Sequence, residues 1–341
     1  MSKIKREQLL KELNSVVPGL SEREIVEQSS CFVFKDGKVY TFNDEIACWA
    51  RSSLGITGAV SAKKLISLLQ SMPEENLNIT TSKKGKLIIK GMHKQATYAL
   101  ESKIALPIES IKSPKTWKSL PSDFLEGLSL VADCAGRDES NFVLTCIHIA
   151  PEKLEASDNT RLAKFNTKTD VRRSMLIRKD TVKHLITAQV TKFGETKDWV
   201  HFRRNNGPII CCRRYTESFP DSDEGFKISG KKMTLPKGLE KAARRAAIFS
   251  ADNPEDSDIF VTLTTNRALV RGTGTGAEFQ EIKKIKYVGK PLTFLISPTQ
   301  LIALTHKHNS CIVSQEKLKA TSGQFEFVAA LGVTPQESDA E

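Results

Sequence analysis

Pro236-Lys-Gly-Leu-Glu-Lys-Ala-Ala-Arg-Arg-Ala-Ala-Ile-Phe249 sets Leu239, Ala242, Ala243 and Ala246 on one side of a helix, with Lys241, Arg244 and Arg245 off that side. So many alanines on the apolar side predict close approach to a neighbouring element. The stretch is one of six. Short amphipathic helices are predicted to begin near Lys3, Ser61, Ser122, Arg178, Lys237 and Ser297, at intervals of 58, 61, 56, 59 and 60 residues. A near-constant period is evidence of repeated architecture before any single motif is weighed.

Between the helices lie alternating or β-branched runs. Cys31-Phe-Val-Phe-Lys-Asp-Gly-Lys-Val-Tyr-Thr-Phe42 reads as a hairpin turning at Asp36-Gly37. One helix against several strands, six times over, predicts an α+β fold with helices covering one face of antiparallel sheet. Proline- and charge-rich connectors near 107–120 and 219–225 suggest three domains of two units each, at 1–115, 116–222 and 223–332. The remaining 333–341 reads as an acidic, disordered tail.

Net charge is +11 over 341 residues, which permits a nucleic-acid partner without requiring one. Its location is more telling. Helices taken as 3–17, 61–72, 122–136, 178–189, 237–250 and 297–308 hold 14 Lys/Arg against 7 Asp/Glu, so +7 of the total sits there. Five of the six are net positive; the third, with Asp123, Glu126 and Asp133, is acidic. On any one helix a solubilising surface is the plain reading, but five in register with a repeat point further.

Little in the chain points to bond chemistry. The seven cysteines are scattered through apolar runs with no C-x-x-C spacing, which predicts buried, reduced thiols and no zinc. Gly272-Thr-Gly-Thr-Gly276 lacks the Lys-Ser/Thr ending of a phosphate loop and reads as a glycine-rich hairpin. His306 and His308 end the sixth helix at a spacing that does not face one ligand. No hydrolase or metalloprotease signature occurs, so no enzyme and no cofactor are expected. No run of eighteen apolar residues and no signal-peptide core occur, and a cytoplasmic location is the expectation.

Four fragments in order carry a resemblance. They are Leu144-Thr-Cys-Ile147, Leu154-Glu-Ala-Ser-Asp-Asn-Thr-Arg-Leu-Ala163, Ser218-Phe-Pro-Asp221 and Ala243-Arg-Arg-Ala-Ala-Ile-Phe-Ser250. On the six-unit scaffold, from Lys3 to about Gly332, the chain resembles the bacterial and phage-type DNA sliding clamp, the beta subunit of the replicative polymerase. Asn159-Thr160 stands where that family has Gly-His, and the run 222–225 is acidic where cellular clamps tend to carry tyrosine and arginine. Such departures suit a divergent viral or phage clamp.

The resemblance implies three clamp-like domains, each two helices on antiparallel sheets, forming half of a closed ring completed by a head-to-tail homodimer around duplex DNA. A ring that slides uses diffuse positive potential and no base readout. The residues assigned to the DNA side are Lys63, Lys64, Arg178, Lys183, Lys241, Arg244 and Arg245. Tyr98 and Leu100 are assigned to the dimer interface, opposite Ile248 and Phe249 of the other chain. A pocket for a short peptide of the polymerase is assigned to Leu144, Ser157, Arg161, Leu162, Pro220, Phe327, Ala329 and Leu331. The acidic run 221–224 beside it favours a peptide with a basic flank. A clamp loader is a further expected partner. The competing readings are an enzyme of nucleic-acid metabolism with a basic cleft and a monomeric β-rich binding module.

Overall fold

The computed structural model describes residues 2–82, 84–250 and 258–332; the acidic tail lies outside them. Among the described residues there are six α-helices: α1 (Arg6–Asn14), α2 (Ala62–Ser71), α3 (Phe124–Ala132), α4 (Val182–Ala188), α5 (Leu239–Ile248) and α6 (Pro298–Lys307). Each falls inside a stretch that apolar periodicity marks as helical. The first is shorter than predicted, because Ser2–Lys5 is a strand paired antiparallel with Asn76–Ser82. Lys3-Ile4-Lys5 alternates with period two, and Ile4 is buried opposite Leu77.

Two compact units emerge, one from residues 1–129 and 169–217, the other from 130–168 and 218 onward. The middle third of the chain is therefore shared between them. In the first unit a four-stranded antiparallel sheet runs in the order Ser2–Lys5, Asn76–Ser82, Lys86–Gly91, Lys94–Ala99. Its second sheet has eight strands. They are joined at the middle, where Ile46–Arg51 pairs with Ile209–Arg213 across the expected domain boundary. Val33, Phe42, Trp49, Trp199 and Cys211 form one apolar cluster on that sheet. Cys211 and Cys212 occupy opposite faces of their strand and are both fully buried, so this sheet is covered on both sides. All seven thiols are free and buried, and burial pushes those of Cys134, Cys212 and Cys311 up to about 12.

The second unit repeats the plan. Seven of its strands are contiguous, with Arg161–Asn166 paired to Phe325–Ala330 at the centre. A four-stranded sheet runs Ala277–Lys284, Arg267–Gly274, Ile259–Thr264, Leu292–Ile296. The glycine-rich stretch is the hairpin here: Gly274 pairs with Ala277 and Gly276 takes φ +75° at the turn. Gly272 has a second task. A β-carbon there would strike the carbonyl of Ala246, so the strand runs against the backbone of α5, whose Ala242, Ala243 and Ala246 are fully buried. The close approach predicted from the alanines is this contact.

Candidate functional site

Helical periodicity buries Leu65 and Leu69 of α2 and leaves Lys63 and Lys64 exposed. Lys183 is exposed on α4 in the same way. On α5, Lys241, Arg244 and Arg245 are exposed, but the two arginines are not free. Arg244 pairs with Glu240 at 3.0 Å and Arg245 with Glu281 at 2.6 Å. Arg178 departs from its expected place. It ends the strand Met175–Arg178 rather than opening a helix, its side chain is 11% exposed, and it lies 3.5 Å from Glu45.

Helix α1 also differs, because within Arg6–Asn14 two cations, Arg6 and Lys11, face two anions, Glu7 and Glu12. Arg6 is committed to the carbonyls of Leu69, in the last turn of α2, and Glu74. The positive helix faces are thus those of α2 and α5, supplemented by Lys183.

Of the four residues assigned to an interface, Tyr98 lies on the strand Lys94–Ala99 with Leu100 just beyond it, and Ile248 and Phe249 end α5 beside the strand Ala277–Lys284. Lys94–Ala99 is the terminal strand of its sheet, and Ala277–Lys284 is terminal in the second unit. Their outer backbone rows are unpaired within their own sheets, the usual template for adding another strand. Tyr98 and Leu100 share one face by alternation, with the Tyr98 hydroxyl donating to the carbonyl of Lys64 at 3.3 Å. Ile248 is 72% exposed at the end of α5 and lines a hollow of about 690 Å³ with Phe249, Ser250 and Thr273. Phe249 is half-buried and stacks on Phe279 within its own unit at 5.6 Å.

The residues assigned to a peptide pocket are divided by strand parity. Directly opposed residues of an antiparallel pair share a face. Arg161 and Ala329, with Ala163 and Phe327, lie on one face; Leu162 and Val328, with Lys164 and Glu326, lie on the other. Phe327, Ala329 and Leu144 are buried in the core. Ser157 closes a turn on the carbonyl of Arg161.

Arg161 and Leu331 do meet, in a hollow of about 540 Å³ whose other walls include Thr160, Ser297, Gln300 and Ala330. Asp158 holds Arg161 through two bonds of 2.8 and 2.6 Å, and Gln300 donates to Thr160 at 3.1 Å. Thr160, Gln300, Ala330 and Val328 were not assigned from the sequence. Alternation could have found the last two, since choosing 327, 329 and 331 fixes the opposite parity from the exposed Ala330.

Leu162 and Pro220 are related through the connector 218–226. A β-carbon on Gly225 would lie 2.8 Å from Leu162, and Lys164 sits 4.2 Å above the Phe226 ring, so the connector crosses the Leu162 face. Glu155 fastens it there. Its carboxylate, 1% exposed, accepts from Ser222 at 2.5 Å, Lys153 at 2.9 Å and His148 at 3.0 Å, while His148 stacks on Phe219. Burial alone would raise the Glu155 carboxyl. The hydrogen bonds from His148, Ser222 and Lys153, with the Lys153 charge, overcome it and take the group down to about 2.

A lowered carboxyl stabilises the fold above its unfolded value near 4.3 and loses that contribution as pH falls from about 5 toward 2. Glu155→Gln is expected to cost about 2 kcal/mol in denaturant unfolding at pH 7 and progressively less below pH 4. A gap equal at pH 7 and pH 3 would mean the charge is not the source. The acidic run on the connector is largely neutralised as well, because Asp223 pairs with Lys153 at 3.2 Å and Glu224 with Lys227 at 2.5 Å.

No family's sequence pattern matches the chain, and no curated protein does. Solved structures do. A sliding clamp (DNA polymerase III subunit beta) from Bartonella birtlesii superimposes with TM-score 0.85 at 14% identity, covering 97% of this chain and 99% of that one. The DNA polymerase III subunit beta of Pseudomonas aeruginosa gives 0.82 at 16% identity, covering 97% and 99%. The beta subunit from Streptococcus pyogenes gives 0.82 at 17%, with the same coverage. At such identities the likeness concerns fold, and the chain has the clamp fold. Among the described residues no helix is long and apolar enough to cross a membrane, and no three His, Cys, Asp or Glu gather as a metal site.

Proposed function

We propose that this chain is a DNA sliding clamp, a processivity factor that encircles duplex DNA and tethers the replicative polymerase by topology, without bond chemistry. The observation that carries the reading is the full-length likeness to polymerase beta subunits, over 96–97% of this chain and 98–99% of theirs. The exposed cations of α2 and α5, two unpaired strand edges and the hollow that Arg161, Gln300, Ala330 and Leu331 line support it.

The working form is a head-to-tail homodimer of three-domain chains, divided near 115 and 222, in which the edge Lys94–Ala99 of one chain adds to Ala277–Lys284 of the other. Lys63, Lys64, Lys183 and Lys241 face the DNA, with Arg244 and Arg245 contributing less through their ion pairs. A short polymerase peptide seats at Ala330 and along the Leu162 face, and a loader opens the ring. A phage or viral replication system acting in a host cytoplasm is the source that the departures suit.

Protein loaded onto nicked circular plasmid is expected to co-elute with it on gel filtration and to be released when the plasmid is linearised. Lys63→Glu, Lys64→Glu and Lys241→Glu together should reduce retention at least threefold and flatten its salt dependence, since each phosphate contact adds to that slope. Retention that survives linearisation would exclude topological binding.

A further inference from the structure

A third concavity, a cleft of about 450 Å³, lies in the first unit and is lined by none of the residues proposed to face DNA, the dimer partner or the polymerase peptide. One wall is the segment 112–118, the other the strand Lys192–Glu195 with Thr196, and Arg172 stands at the rim. Two features build it. Gly194 lets the walls meet, because a β-carbon there would sit 2.6 Å from Pro114 Cγ and 2.8 Å from the Thr116 carbonyl. Lys118 holds the rim by donating to the Asp170 carbonyl at 2.5 Å, with its ammonium 5.7 Å from the Phe193 ring.

The charge within the cleft is one-sided. Lys112, Lys115 and Arg172 are exposed, and their side chains carry no ion pair among the described residues. The one carboxylate on the lining, Glu195, is already engaged by Arg214 at 3.8 Å and by the Arg172 amide at 3.4 Å. Three free cations line a concave surface that also offers the hydroxyls of Ser113 and Thr116, while that of Thr196 is spent on the Trp199 carbonyl at 3.1 Å.

We propose that this cleft docks an acidic peptide segment of a protein partner. Carboxylates match the lysines as point charges and the arginine as a two-pronged donor, and the lysine stems supply apolar cover for a side chain between them. The volume falls in the range of sites that enclose a few side chains. Single-stranded nucleic acid fits less well, since its bases need open rings to stack on. Phe193 is 1% exposed, and Trp117 is occupied by the Arg203 guanidinium at 4.0 Å.

The test uses the full chain and a fluorescein-labelled Glu-Glu-Leu-Asp-Glu-Glu peptide, read by anisotropy. Saturable binding is expected, weakened at least tenfold in Lys115→Glu/Arg172→Glu and by a smaller factor in Lys112→Glu. A charge-matched control, Lys38→Glu/Lys90→Glu, reverses two exposed lysines elsewhere in the unit and should stay within twofold of the native protein. All the substituted side chains are exposed, and an unchanged unfolding midpoint confirms that the fold is kept. Binding unaffected by Lys115→Glu/Arg172→Glu, or weakened as much by the control, would overturn the assignment. Displacement of the peptide by a lower concentration of an eight-nucleotide oligothymidylate would overturn it too, in favour of a phosphate site.

Discussion

Ile248→Asp is expected to turn the proposed dimer into folded monomers. Ile248 is 72% exposed at the end of α5, beside the unpaired edge of Ala277–Lys284, so nothing among the described residues of its unit accounts for an apolar side chain there. Burying such a side chain is worth roughly 1.5–3 kcal/mol, and a two-fold head-to-tail ring uses the contact twice. The dimer constant should weaken by about 10²–10⁴-fold. Sedimentation at micromolar protein should then shift from about twice 37.9 kDa to that mass, with the unfolding midpoint unchanged. Phe249 is the poorer choice for this test. Its ring stacks on Phe279 inside the unit, and removing it mixes folding with association. A dimer that persists with Ile248→Asp would place the interface elsewhere.

Ala330→Trp should weaken polymerase binding about a hundredfold while sparing the dimer and DNA retention. Ala330 is exposed, lines the 540 Å³ hollow, and shares a strand face with Val328 and Leu162. An indole there fills the space a peptide anchor needs without entering the core. Losing one or two apolar anchors amounts to about a hundredfold in affinity. Calorimetry with the cognate polymerase or its clamp-binding peptide reads the change, and Leu162→Asp is the companion on the connector side. Affinity within twofold of the native chain for both variants would move the docking surface off this hollow.

The helix faces illustrate how far a charge pattern can be read from a chain alone. Lys63 and Lys64 were recoverable from position, because a cation next to an apolar stripe points outward whatever surrounds it. Arg178 was not. Its partner, Glu45, is 133 residues away, and a through-space ion pair leaves no mark in the local pattern. Arg245 with Glu281 is the same case on α5, and Asp223 with Lys153 on the connector. The total charge was right, yet its free portion was smaller than a count suggests.

Periodicity along the chain determined by itself where the six helices lie, which side of each is buried, that the thiols sit inside, and that Gly272 to Gly276 make a hairpin. Each of these depends on neighbours within a few residues, where side-chain direction follows backbone geometry. Tertiary structure alone decided which strands join, and so which residues share a site. Ile46–Arg51 meets Ile209–Arg213, and Arg161–Asn166 meets Phe325–Ala330, over separations of more than 150 residues. A strand's outer hydrogen-bonding groups are alike in every sequence, so they do not name their partner. Register matters as much as partner, since a shift of one residue would set Phe327 in place of Val328 on the face beside Leu162.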